Sequence, residues 1–350
     1  MLWTIFAGGS LGILFGFVLQ RTRFCMTGGF RDMYIARNNK MFYAFLIAIL
    51  VQAVGVLALI EWGYVGVPYK DFSLPATIVG SFVFGVGIIL AGGCATGTWY
   101  RAGEGLIGSW LALIAYMFSA AMMKYGALAG WQKSLTQYGR VNDNLTASLG
   151  ISVWWLVALL ALAVAFGVRQ TLAKRPKTKV AALPAKYRGL RHWLFEKRYH
   201  PFAAATVIGI IAILAWLASG STGRVGGLGI TTPSADIVNF LVTGNQKSLN
   251  WGVFLVLGIF VGSYIAAKGS REFRWRLPDI KTLYHSVIGG LMMGVGASLA
   301  GGCTIGNGLT ATAVMSSKGW IALGFTIIGV WTAAHFIFVL PRQRAQAAAV

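Results

Sequence analysis

The sequence predicts an all-α membrane protein with about nine transmembrane helices and glycine-broken re-entrant segments set in two inverted repeats. Three observations carry that expectation. Only 11% of residues are charged and 57% are hydrophobic, whereas a soluble domain carries about 25% charged residues. The apolar residues fall in blocks of about 18 to 20, the length a helix needs to cross a hydrocarbon core of about 30 Å. A glycine-rich, cysteine-bearing segment occurs twice, once in each half of the chain.

The blocks follow in order. The first runs from Leu2 to Leu19 and is followed by Arg21, Arg23, Arg31, Arg37 and Lys40. Its start, Met1-Leu2-Trp3, has no basic n-region or small-residue cleavage site, so a retained span is expected. The second runs from Met41 to Ile60, the third from Ala76 to Gly92 and the fourth from Gly105 to Met123. A polar loop from Lys124 to Gly150 precedes the fifth, Ile151 to Val168. Then comes the most basic stretch, Arg169 to Arg198, with Glu196 as its single acid. The sixth block is Phe202 to Leu217, followed by a Gly-rich loop with Arg224, Asp236 and Lys247. The seventh is Trp251 to Ala267, the eighth Ser286 to Ala300 and the ninth Gly319 to Leu340. Trp62, Trp131, Trp154, Trp251 and Trp275 lie near block ends, where interfacial tryptophans are expected.

The net charge of +21 does not point to nucleic acid. Lys and Arg cluster after blocks one, five, seven and nine and thin out after two, four and six. The positive-inside rule then expects an N-terminus outside and a C-terminus in the cytoplasm. The Arg169–Arg198 stretch is either such a solvated positive-inside loop or a docking surface for a partner. No Walker-type phosphate loop occurs, so ATPase activity is not expected, nor is any other enzyme activity or cofactor. Three cysteines without a CxxC pair, and four histidines away from ligand spacing, point away from disulfides and metal.

The repeat reads Gly85-Val-Gly-Ile-Ile-Leu-Ala-Gly-Gly-Cys94-Ala-Thr-Gly97 against Gly294-Val-Gly-Ala-Ser-Leu-Ala-Gly-Gly-Cys303-Thr-Ile-Gly306, with nine of thirteen positions identical. The expected topology carries the two copies across the bilayer in opposite directions. Residues 1–125 and 202–340 then form inverted repeats, joined by a linking helix at 151–168, in one transport domain spanning 1–350. Inverted repeats with matching broken segments mark secondary transporters, whose site lies at the repeat interface.

Cys25, Cys94 and Cys303 each open a C-x-x-G motif. The fourth equivalent place, Gly223 to Gly227, keeps glycines but has no cysteine. Irregular backbone at membrane depth persists where protein buries it or where it lines a cavity. A helix starting after each break would aim free N–H groups at that cavity, a natural anion site. A lone membrane cysteine is usually a small buried hydrophobe, and the ladders Gly8-xxx-Gly12-xxx-Gly16 and Gly258-xxx-Gly262 read as helix packing. Three cysteines in one repeated setting read instead as a pathway. The candidate pathway is Cys25, Cys94 and Cys303, with Gly92, Gly93, Thr96, Gly97 and Arg101 of the first copy and Gly301, Gly302, Gly306 and Asn307 of the second. Arg21 and Arg23 flank Cys25, as pathway charge or as ordinary positive-inside signal. Arg101 sits where an unpartnered charge is costly, and Glu104 is its nearest acidic neighbour in sequence.

At these motifs the chain resembles the YeeE/YedE family of bacterial inner-membrane proteins. The segments are R-F-C-M-T-G-G-F at Arg23 to Phe30, A-G-G-C-A-T-G-T at Ala91 to Thr98 and A-G-G-C-T-I-G-N-G at Ala300 to Gly308. Within the family it looks most like the YedE branch, linked with selenium metabolism, on segments such as F-R-D-M-Y-I-A-R-N-N at Phe30 to Asn39. The resemblance implies a multi-pass inner-membrane protein, thiosulfate uptake in the YeeE branch, functional cysteines at Cys25, Cys94 and Cys303, and a small TusA-like sulfur carrier on the cytoplasmic side.

A thiol is a weak S–H donor and suits a large, polarizable sulfur or selenium. The expected mechanism passes a small sulfur-containing anion, thiosulfate first, between neutral thiols, since a thiolate would repel it. The membrane potential opposes a dianion by about 4.6 kcal/mol at 100 mV. With no buried carboxylate chain for a proton relay, consumption by a cytoplasmic partner is the expected offset. The rival readings are a selenium-compound transporter, a covalent persulfide or redox relay, and a structural scaffold.

Overall fold

The computed structural model describes residues 2–66, 69–144, 150–173, 188–197 and 199–347. Its helices are α1 (Leu2–Thr22), α2 (Met26–Ile35), α3 (Lys40–Glu61), α4 (Leu74–Leu90), α5 (Ala95–Gly103), α6 (Ile107–Lys124) and α7 (Ala129–Gln137). They continue with α8 (Val153–Ala173), α9 (Pro201–Gly220), α10 (Thr231–Thr243), α11 (Trp251–Gly269), α12 (Ile280–Leu299) and α13 (Ser317–Ala334). A π-helical segment, Gly306–Ala311, lies between α12 and α13. The strands β1 (Phe72–Ser73) and β2 (Arg140–Val141) pair antiparallel in one small clip between loops.

Each of the nine apolar blocks lies on a long helix, but among the described residues eight stretches are long and apolar enough to cross a membrane. The shortfall is α12. It has 20 residues, but Lys281, His285, four glycines or serines in its second half and other polar positions dilute it. α12 packs between α4 and α6, and a helix shielded from lipid by its neighbours needs less apolar surface. The Gly-rich loop after α9 also departs from expectation, because it contains α10. Pro233 stands in the first turn of α10 and Gly244 ends it in the left-handed conformation (φ 67°).

Helix ends are set by ordinary caps. The Ser73 side chain accepts from Ala76 N, Asn250 from Gly252 and Val253 N, and Asp279 from Thr282 N. The Thr282 hydroxyl also donates to Asp279, and together these bonds hold its carboxyl below the usual range.

Close approach through glycine holds the long helices together. A Cβ on Gly12, Gly16, Gly258 or Gly262 would strike the backbone of the facing helix in the α1–α11 pair. The two ladders are therefore packing surfaces. At the repeat the contacts are exchanged between halves. Gly85 on α4 meets α13, while its counterpart Gly294 on α12 meets α6. Gly87 meets α12, while its counterpart Gly296 meets α4.

Loop contacts sort into two faces. On one, Arg21 and Arg23 pair with Glu272, Leu106 bridges Arg276, and Tyr34 bonds His335. On the other, Trp3 donates to Ser221, Tyr69 to the Val314 carbonyl and Trp154 to Glu61, and Tyr125 bonds Asp236. The first is the basic face. Trp62, Trp131 and Trp275 are exposed near helix ends, but Trp251 is 1% exposed and belongs to the core. Pro233 of α10, in a stretch the sequence reading left as loop, packs against the neighbouring Gly252, and Gly8 of α1 approaches the Trp251 carbonyl. Lys174, Arg175, Lys177, Lys179, Lys186 and Arg198 of the basic stretch lie outside the described residues.

Candidate substrate pathway

The three cysteines occupy one local structure. Two residues before each, the chain turns through the left-handed region: Arg23 (φ 50°), Gly92 (φ 68°) and Gly301 (φ 68°). Each cysteine then starts a new helical segment, its carbonyl accepting from the N–H four residues on. The bonds are Gly29 N to Cys25 O at 3.0 Å, Thr98 N to Cys94 O at 2.8 Å and Asn307 N to Cys303 O at 2.8 Å. The fourth place shares the turn but not the helix start, since the next helix, α10, begins only at Thr231. Gly223 is left-handed (φ 79°), so Val225 stands where a thiol would be. The break is thus a repeated helix ending, fixed by backbone hydrogen bonds. At Cys25 the left-handed residue is an arginine, where the other three junctions use glycine.

All three thiols are free and buried, with exposures of 7%, 3% and 2% for Cys25, Cys94 and Cys303. They converge. Cys94 lies within electrostatic range of both Cys25 and Cys303, and the Thr304 hydroxyl faces it. Tyr116 stands close to Cys303 and Cys94, and Tyr100 close to Cys25. The Tyr116 hydroxyl donates to Thr231 Oγ1 at 2.9 Å, anchoring α6 to α10 behind the site.

Arg101 reaches into this junction from α5. It donates to the Gly92 carbonyl, to Tyr100 Oη at 3.4 Å and to Cys25 Sγ at 3.6 Å. Among the described residues no ion pair joins it to Glu104. Glu104 lies within electrostatic range of Arg101 without a direct ion pair. In the second copy Asn307 satisfies the equivalent loop, donating to Ala300 O at 3.0 Å and Gly302 O at 3.1 Å. Gly93 and Gly302 lie under these side chains: a Cβ would stand 3.4 Å from Arg101 Nη1 and 2.6 Å from Asn307 Oδ1. A Cβ on Gly97 would touch Cys94 Sγ at 3.6 Å, and one on Gly306 would meet nothing within 4 Å. Thr96 is buried at 3% exposure. Arg21 and Arg23 turn away toward Glu272, with N–O distances of 3.9 and 3.3 Å. They fasten the end of α1 to the loop after α11.

A cavity of about 390 Å³ opens on the face opposite the basic one, lined by Gly301, Gly306, Asn307, Lys70, Lys318 and Asp143 among others. The Asp143 carboxylate is held by the Ser316 hydroxyl at 2.6 Å and by Lys318 N at 2.9 Å. Burial, then Asp143, raises the Tyr69 phenol above its ordinary value beside it. The sequence reading missed Lys70, Lys318, Tyr100 and Tyr116, which lie outside the repeated motif. It also passed over Thr27 and Thr304, although both lie inside a C-x-x-G segment.

A helical bundle with two loop faces and a buried, thiol-lined junction between its halves is the architecture of a membrane transport protein. The chain belongs to the sulphur transport family, whose profile matches residues 21–332. It is 55% identical over 344 residues to the thiosulfate transporter TsuA of Escherichia coli, covering 98% of this chain and 97% of that protein. It is 32% identical to the thiosulfate transporter TsuA of Spirochaeta thermophila, over 97% and 99% of the two chains. The probable transporter YedE of Escherichia coli is 30% identical over only 172 residues, 49% of this chain. The expected affinity with the YedE branch is thus a distant one.

Proposed function

We infer that this protein takes up thiosulfate across the cytoplasmic membrane, passing it between Cys25, Cys94 and Cys303. One observation carries the reading: three buried thiols start three helical segments around one junction, with Cys94 in range of the other two. A neutral thiol donates weakly to the soft terminal sulfur, and free N–H groups at the helix starts favour the anion's charge. Arg101 donates toward Cys25 Sγ, which leaves that S–H free to donate to substrate. The full-length similarity to two thiosulfate transporters supports the same substrate.

The inverted-repeat organisation, 1–125 and 202–340 about a linking helix at 151–168, is supported by the exchanged glycine contacts of α4 and α12. With the basic face cytoplasmic, the N-terminus lies in the periplasm, the C-terminus in the cytoplasm, and the 390 Å³ cavity opens to the periplasm. A TusA-like carrier would meet the basic face and consume the anion, offsetting the membrane potential. A soft selenium anion could use the same thiols, but half-length similarity to YedE supports it less. Uptake of ³⁵S-thiosulfate by cells lacking other thiosulfate transport, with selenium anions as competitors, tests the reading. Accumulation that depends on this protein supports it. No accumulation, or selenium uptake alone, contradicts it.

A further inference from the structure

Thr27, Thr96 and Thr304 lie one or two residues after Cys25, Cys94 and Cys303, so each break carries one threonine beside its thiol. Their exposures are 4%, 3% and 3%. Yet the hydroxyls of Thr27 and Thr96 have no hydrogen-bond partner among the described residues, and that of Thr304 has no oxygen or nitrogen partner, only the Cys94 thiol facing it. A buried hydroxyl is normally paired, and threonines at helix starts or inside helices usually bond a nearby backbone group. Thr98, the next threonine along, does so, donating to Ala95 O at 2.7 Å. Thr312 likewise donates to Gly308 O at 2.7 Å. The three motif threonines decline that option, and Thr304 faces Cys94 across the junction.

We propose that the hydroxyls of Thr27, Thr96 and Thr304 form a second donor set that bonds the sulfonate oxygens of the passing anion while the adjacent thiols meet its terminal sulfur. The proposal rests on the thiosulfate reading and adds to it a basis for choosing among soft anions. Thiosulfate has one soft sulfur and three hard oxygens. Thiols alone would accept any soft anion. A thiol with a hydroxyl selects an ion that is soft at one end and an oxyanion at the other. Three successive pairs would keep that choice in force along the path.

The test compares Thr→Val, which keeps shape and removes the O–H, with Thr→Ser, which keeps the O–H, at each position. Thiosulfate KM and maximal uptake are measured in proteoliposomes, with Tm of the purified protein as a check on folding. The proposal expects Thr304→Val and Thr96→Val to raise KM about tenfold with Tm unchanged. The serine variants should stay within about twofold of wild type. Where a valine variant fails to fold, Thr→Ala against Thr→Ser decides in the same way. Wild-type KM in the valine or alanine variants overturns the hydroxyl role alone. So do serine variants as impaired as valine. A wild-type protein that moves no thiosulfate overturns the functional reading and the proposal with it.

Discussion

The guanidinium of Arg101 lies 3.6 Å from the sulfur of Cys25, seventy-six residues away in sequence, and so ties α5 to the break between α1 and α2. The same side chain donates to the Gly92 carbonyl, which sits in the turn before Cys94. One cation thus braces two of the three thiol-bearing breaks. Charged hydrogen bonds of this kind contribute about 1.5–3 kcal/mol each. Arg101→Gln is expected to lower thiosulfate uptake at least tenfold, and Arg101→Lys to recover only part, because an ammonium cannot reproduce the fork. Uptake per folded molecule checks this. Wild-type rates in Arg101→Gln would remove Arg101 from the mechanism.

Gly97 gives a test of the space around a thiol. Its added Cβ would contact Cys94 Sγ at an ordinary 3.6 Å and meet nothing else closer than 4 Å. Gly97→Ala should therefore fold with Tm near wild type, since alanine is also the better helix former by about 1 kcal/mol. Uptake should fall severely, because the methyl group covers the sulfur that substrate must reach. Unimpaired uptake would show that Cys94 is approached from another side.

The α1–α11 contact yields the opposite pattern. A Cβ on Gly262 would lie 2.0 Å from the Ile13 carbonyl, a backbone atom that cannot swing aside. Gly262→Ala should cost on the order of 1–3 kcal/mol and lower Tm in detergent. The molecules that remain folded should transport normally. A loss of uptake without a loss of Tm would place this helix pair in the transport step.

Orientation is open to direct labelling. Gly139 and Gly244 lie in loops of the face opposite the basic one, beside β2 and after α10. Tags there are expected to be periplasmic, and a tag at Lys179 cytoplasmic. Accessibility of Lys179 from the periplasm, with Gly139 and Gly244 cytoplasmic, would reverse the membrane orientation and turn the 390 Å³ cavity to the cytoplasm.

The sequence was most legible where one rule governs many residues. Apolar block length placed all nine long helices, because lipid leaves the backbone few other choices. The repeat located the breaks, since glycine at φ 68° before both Cys94 and Cys303 serves one backbone need. What escaped depended on tertiary shielding. α12 is less apolar than a lone span because α4 and α6 cover it. α10 hid in a stretch that composition marked as loop. Trp251 read as interfacial but is buried in the core. Arg21 and Arg23 sit beside Cys25 in sequence but bend to Glu272, and no local pattern encodes that distant partner.

The thiols carry the central claim, and one measurement addresses it most directly. Alanine at Cys25, Cys94 or Cys303 removes one small buried group, so expression and Tm should stay near wild type. Serine keeps a donor but replaces the soft atom with a hard one. Initial rates of ³⁵S-thiosulfate uptake should fall severely in all three alanine variants, most of all at Cys94 and Cys303, and serine should rescue little. Wild-type rates in all three alanine variants would contradict the account and leave the C-x-x-G motifs as packing devices.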